Sequence, residues 1–154
     1  NKIREEVPGI ALRTTLMVGH PGETEEDYRE LEDFVKTMKF ERLGVFPYSH
    51  EEDTYCDKHY QDDVSEETKN KRAEKLMALQ EGVVAALNES CVGKRFWVLI
   101  DRVEGDYFVG RTQYDSPEVD QEVFVTSEKA LQIGEFYEVL ITEAGQFELY
   151  AKCE

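Results

Sequence analysis

The sequence predicts two structural classes in series, an α/β segment followed by a small all-β barrel. Three observations carry this. The first 48 residues read strand, helix, strand. A second, longer helical stripe follows. From Val92 onward, apolar residues alternate with polar ones in short runs separated by turn signals.

Residues 10–18 are β-branched and apolar and predict a buried strand. His20-Pro21-Gly22 breaks it. Thr24 then offers a helix N-cap, with Glu25, Glu26 and Asp27 in a first turn where the helix dipole favours acids. Tyr28, Leu31, Phe34, Val35 and Met38 recur at helical spacing. Leu43 to Tyr48 predict a second strand, parallel to the first. Residues 49–64 are acidic and read as a long irregular loop. Ser65 caps the second helix, whose stripe is Ala73, Leu76, Met77, Val83, Val84 and Leu87, interrupted by Gln80. One βα-β unit cannot cover both faces of a parallel sheet. The first 90 residues therefore read as part of a larger barrel, or as a sheet that other chains complete.

Beyond Val92-Gly93-Lys94 the inward set is Phe96, Val98, Ile100, Tyr107, Val109, Val123, Val125, Phe136, Phe147, Leu149 and Ala151. Turns fall at 104–106, 115–117, 133–135 and 144–146. Five short strands at this spacing predict a small closed barrel. The boundary is placed near residue 91, giving domains 1–90 and 91–154.

The chain has 154 residues with 18 basic and 34 acidic side chains, a formal net charge of −16. Residues 91–154 hold 6 basic against 13 acidic residues, which makes RNA an unexpected partner, because phosphate binding runs on Lys and Arg. A basic protein, or plain solubility, fits better. No apolar run is long enough to span a membrane, and residues 1–6 carry no signal-peptide pattern; a cytoplasmic protein is expected. Cys56, Cys91 and Cys153 are scattered, and His20, His50 and His59 have no metal-ligand spacing. No disulfide or metal site is expected from this chain by itself.

The densest site signal is Val18 to Asp27, a glycine-bearing turn at the C-terminal end of a strand, where α/β barrels place active sites. Glycine permits close backbone approach, and the free amides of the helix start can bind a polar group. An ordinary βα turn favours the same residues, so both readings stand. Arg13 is the second signal. Alternation puts Arg13, Thr15 and Met17 on one face of the strand. A buried Arg13 needs a partner, either the carboxylate of a substrate or a neighbouring acid.

The run Leu12 to Asp27 resembles the fifth barrel strand and turn of the radical-SAM methylthiotransferases. Arg42 to Thr54 is similar to their sixth strand and loop. Lys71-Arg72, Leu76-Met77 and Leu79-Gln80 match the helix that follows, and residues 92–154 fall where that family carries its TRAM domain. The resemblance implies the end of a radical-SAM partial TIM barrel followed by an OB-like TRAM β-barrel. Of the two branches of the family, one modifies a tRNA adenosine and the other an aspartate of a small-subunit ribosomal protein. Arg13-Thr14-Thr15, Ser49-His50-Glu51-Glu52 and Tyr114 to Asp120 resemble the ribosomal-protein branch. The tRNA branch, or a non-catalytic partner-binding module, is the rival reading.

For the full-length enzyme the resemblance implies S-adenosylmethionine and two 4Fe-4S clusters. A radical made from the former would activate the aspartate β-carbon, and the second cluster would take part in methylthio delivery. The cluster cysteines of the family are absent from these 154 residues, so the resemblance implies neither a bound cofactor nor a catalytic residue on this chain alone. By the same resemblance Gly19, Pro21, Gly22 and Glu23 line the S-adenosylmethionine side of the barrel mouth, Val45 and Phe46 lie against the adenine, and Arg13 faces the lumen. Tyr48 reads as a core aromatic. Asp115, Glu118 and Asp120 form an acidic run expected on an exposed connection. There they would meet the basic ribosomal protein, or simply be solvated.

Overall fold

Six elements precede the barrel: α1 (Lys2–Glu6), β1 (Arg13–Val18), α2 (Glu25–Met38), β2 (Arg42–Pro47), α3 (Tyr55–His59) and α4 (Glu66–Glu89). The structure, a computed structural model, describes residues 2–154. It divides into two compact units, Asn1–Val83 and Val84–Glu154, with the division inside α4.

In the first unit β1 and β2 pair in parallel, from Arg13↔Arg42 to Val18↔Pro47. Thr24 caps α2 in a reciprocal box. Its hydroxyl accepts from Asp27 N, and the Asp27 carboxylate accepts from Thr24 N. The Asp27 carboxyl is held below its ordinary range by those hydrogen bonds. One sheet face packs on the helices through Val18, Tyr28, Val35, Ala73 and Leu76, with Leu16, Leu31, Leu43, Val45 and Leu79 against them. Full burial of a side chain such as Leu76 or Val35 contributes about 1.5–3 kcal/mol. Gln80 does not break the α4 stripe. It is buried, and its Nε2 donates to Phe40 O at 2.8 Å.

Three expectations are corrected here. β1 is buried on one face only, because its other face carries Arg13, Thr15 and Met17, all exposed. Segment 49–64 is not wholly irregular, since Thr54 caps the short α3 by accepting from Asp57 N. Phe34 lies off the α2 packing stripe and is exposed, touching Phe40.

In the second unit β3 (Arg95–Glu104), β4 (Tyr107–Thr112), β5 (Glu122–Ser127), β6 (Phe136–Ala144) and β7 (Glu148–Cys153) close into a barrel of order β3-β4-β5-β7-β6. β5 and β7 are parallel, and the other neighbours are antiparallel. The core holds Val98, Ile100, Val123, Val125, Leu131, Val139, Ile141, Leu149 and Ala151. Closure requires Gly110, where a Cβ would fall on the carbonyl oxygen of Leu99 beside the β3 register shift. Three expected inward residues are not in the core. Phe136 and Phe147 are exposed, and Tyr107 belongs to an outer ring cluster. In β6 the inward residues are Val139 and Ile141, of opposite parity to Phe136. Phe147 lies in the turn before β7.

Candidate functional site

At the C-terminal ends of β1 and β2, the Gly19–Glu23 turn is built from within. Gly19 has φ +78, and a Cβ there would overlap the Lys69 stem. Its close approach is therefore to Lys69 of α4. The Lys69 side chain is fully buried, with its ammonium 2.6 Å from Asp62 and 2.7 Å from Glu66, and it lies over the Tyr48 ring. Burial opposes its charge, but the hydrogen bonds to Asp62 and Glu66 win and raise its pKa. Lys69 in turn holds the Asp62 carboxyl below its usual range.

Glu23 accepts from Gly19 N at 2.9 Å and from Arg72 at 2.6 Å. Gly22 is exposed, has φ +84, and donates its amide to Asp63 at 2.7 Å. Pro21 is buried, and its carbonyl meets His20 Nδ1 at 3.0 Å. At the helix start, where free amides were expected, Thr24 N and Asp27 N are bonded to Asp27 and Thr24, and the turn amides of Gly19 and Gly22 are bonded to Glu23 and Asp63. Two basic residues one turn apart on α4, Lys69 and Arg72, hold the loop. Neither role is visible in the sequence, because the Glu23 partner of Arg72 and the Gly19 turn packed on Lys69 lie about 50 positions away in the chain.

Beside the turn, His20 Nε2 is 3.6 Å from Cys56 Sγ, and the His20 ring meets Tyr48 edge-on at 5.3 Å. The Tyr48 hydroxyl contacts His50 Nδ1 at 3.1 Å, and His50 Nε2 lies 3.3 Å from Asp57. Burial raises the Tyr48 phenol, with Cys56 adding to it. Tyr48 is buried, so the core reading of it describes its place.

The open sheet face is different in kind. Met17 and Phe46 are register partners, 56% and 60% exposed. Gly44 and Thr15 are also partners, and the Phe46 ring passes 3.5 Å from where a Gly44 Cβ would stand. A flat aromatic–thioether surface over a missing Cβ fits a planar apolar group such as adenine. Arg13 lies exposed on the same face. Val45 does not, since its side chain packs into the helix-facing core, so only Phe46 of the expected pair can lie against a ring. Iron–sulfur clusters do not fit. The thiols of Cys56, Cys91 and Cys153 are free, and among the described residues no group of three His, Cys, Asp or Glu converges as metal ligands.

In the second unit the expected acidic run is not uniformly exposed. Asp115 is only 9% exposed and accepts from the Thr112 hydroxyl at 2.5 Å, so it serves the loop's own structure. Asp120 is half-buried and accepts from Ser116 N at 2.7 Å. Glu118 is exposed. The three arginines of this unit are matched by acids. Arg102 binds Glu104 and Glu122, Arg111 binds Asp101, and Arg95 binds Glu154 and Glu138. Arg102 holds the Glu122 carboxyl below its usual range.

Comparison with known proteins identifies residues 92–153 as a TRAM domain. The whole chain is 58% identical, over 97% of its length, to the ribosomal protein uS12 methylthiotransferase RimO of Phocaeicola vulgatus. The RimO proteins of Bacteroides thetaiotaomicron and Porphyromonas gingivalis are 53% and 57% identical over 98% of the chain. The chain is similar to the C-terminal part of these RimO proteins. It spans about a third of the length of these relatives, 35% in each case. Among the described residues, no helix is long and apolar enough to cross a membrane.

Proposed function

We propose that this chain serves as the C-terminal part of a cytoplasmic radical-SAM methylthiotransferase that modifies an aspartate of ribosomal protein uS12. Residues 1–90 close one side of the catalytic barrel, and residues 91–154 engage the protein substrate. The observation that supports the reading is identity of 58% over 97% of the chain to a protein named ribosomal protein uS12 methylthiotransferase.

Bound S-adenosylmethionine supplies the radical chemistry. Phe46 and Met17 offer a surface for its adenine, and Gly44 leaves that surface flat. Gly22 stays at the exposed edge of the turn, while Gly19, Pro21 and Glu23 shape the turn from inside, with Lys69 and Arg72 fixing it. Arg13 lies on the same open face, where it orients a carboxylate of the substrate or cofactor. No step is assigned to iron, because the residues present do not fit its clusters. Glu118 and Asp120 present negative charge to the basic ribosomal protein, steering encounter more than adding affinity; Asp115, buried and bonded to Thr112, serves the loop and not the contact.

A chimera tests this. The present 154 residues replace the matching part of the Phocaeicola vulgatus RimO in cells lacking the native enzyme. Gain of one methylthio group on uS12, read by intact-protein mass spectrometry, supports the reading. A stable, cluster-loaded chimera that leaves uS12 unmodified contradicts it.

A further inference from the structure

The outer surface of the barrel carries an aromatic cluster that its core does not use. Phe124 and Tyr150 are register partners on β5 and β7, with rings stacked at 5.6 Å and 27°. Tyr107 meets both edge-on, at 5.7 and 6.1 Å. Strand alternation turns these rings outward, because their neighbours Val123, Val125, Leu149 and Ala151 point into the core. Phe124 and Tyr150 floor a cleft of about 370 Å³, with Phe147 beside them and Glu118, Asp120, Glu122 and Glu148 around them.

We propose that this aromatic face is the seat for arginine or lysine side chains from a basic protein segment. The inference rests on the reading that the second domain engages a basic protein, and it names the surface and the chemistry. In five-stranded barrels of this topology the face of the second and third strands, with the loop before the last strand, is where oligonucleotides and oligosaccharides bind. Tyr107, Phe124 and Phe147 occupy those positions. Aromatic rings on such a face suit two ligands. They stack nucleobases, and they attract cations through the negative ring face.

Charge decides between the two. No Lys or Arg lines the cleft, while four carboxylates do. Arg102, bonded to Glu122, also binds Glu104, so that group remains net negative. Glu118, Asp120 and Glu148 add to it. A phosphate backbone entering here would meet carboxylates where it needs cations. A guanidinium or ammonium would meet ring faces and carboxylates together.

The test titrates the full 154-residue chain with purified uS12 and, separately, with tRNA, at low and high salt. Two variants accompany it. Phe124→Leu with Tyr150→Leu keeps apolar bulk but removes the rings. Glu118→Lys reverses charge on an exposed turn, and it carries the test if the ring variant does not fold. The ring variant should bind uS12 about tenfold more weakly than the unaltered chain. Glu118→Lys should weaken binding several-fold at low salt and less at high salt. Unaltered uS12 affinity in a folded variant overturns the seat while leaving the domain's role intact. Tight tRNA binding without uS12 binding overturns both.

Discussion

Gly19 and Gly22 share a left-handed backbone, φ +78 and +84, but differ in surroundings. A Cβ on Gly22 meets nothing within 4 Å, whereas on Gly19 it overlaps the buried Lys69 stem. Gly22→Ala should therefore cost only the left-handed backbone term, about 1–2 kcal/mol. Gly19→Ala adds an overpacking term of about 1–3 kcal/mol, for a total of about 2–5 kcal/mol. Lys69 cannot simply swing aside, because its ammonium is bonded to Asp62 and Glu66. Urea unfolding followed by far-ultraviolet circular dichroism reads the helices of the first unit. Fluorescence of Trp97, the only tryptophan, reports separately on the barrel. The Gly19 variant should unfold at clearly lower urea than the Gly22 variant, with the Trp97 transition unmoved in both. Equal destabilisation by the two substitutions would mean that the Lys69 packing has no energetic role.

Other outcomes follow from the same geometry. Gly110→Ala should destabilise the barrel by about 2–3 kcal/mol, read by Trp97 fluorescence, because the added carbon meets the Leu99 backbone and not a movable side chain. Thr112→Val should cost about 1–3 kcal/mol and make segment 113–121 more sensitive to limited proteolysis, because buried Asp115 loses its hydroxyl donor. The Asp62–Lys69 pair should contribute stability across a broad neutral window. The lowered Asp62 contributes above the unfolded carboxyl value of about 3.9, a contribution lost as pH falls through the folded value. The raised Lys69 contributes below the unfolded value of about 10.4, a contribution lost as pH rises through the folded value. Stability against pH in Lys69→Met should lose both limbs; an unchanged profile contradicts the pairing.

Much of the fold is legible in local pattern. The strand–turn–helix of residues 13–38 is written in alternation, in His20-Pro21-Gly22 and in the Thr24 cap, all short-range signals. The barrel strands are legible for the same reason, and misplacement occurs where aromatics break parity. Phe136 and Phe147 read as core because they are large and apolar, yet one lies on the outward parity of β6 and the other in a turn. The Thr54-x-x-Asp57 cap of α3 was present but hidden in an acidic stretch. The outer rings were legible in principle, since Phe124 sits between Val123 and Val125, and Tyr150 between Leu149 and Ala151.

The candidate site was less legible. That Gly19 serves Lys69, that Glu23 bonds Arg72 and that Gly22 bonds Asp63 all depend on contacts across 41 to 49 or more positions of chain, which local pattern cannot carry. Asp115 reads as one of a row of surface acids, and only the fold shows that Thr112 holds it inside.

The most direct measurement is a competition in one anaerobic reaction. The purified chimera carrying this chain receives S-adenosylmethionine, a reductant, a sulfur source, and equal amounts of uS12 and tRNA. Mass spectrometry then reads methylthio groups on both substrates. Modification of an aspartate of uS12 and none on tRNA is the expected result. Methylthio adenosine in the tRNA with unmodified uS12 would contradict it.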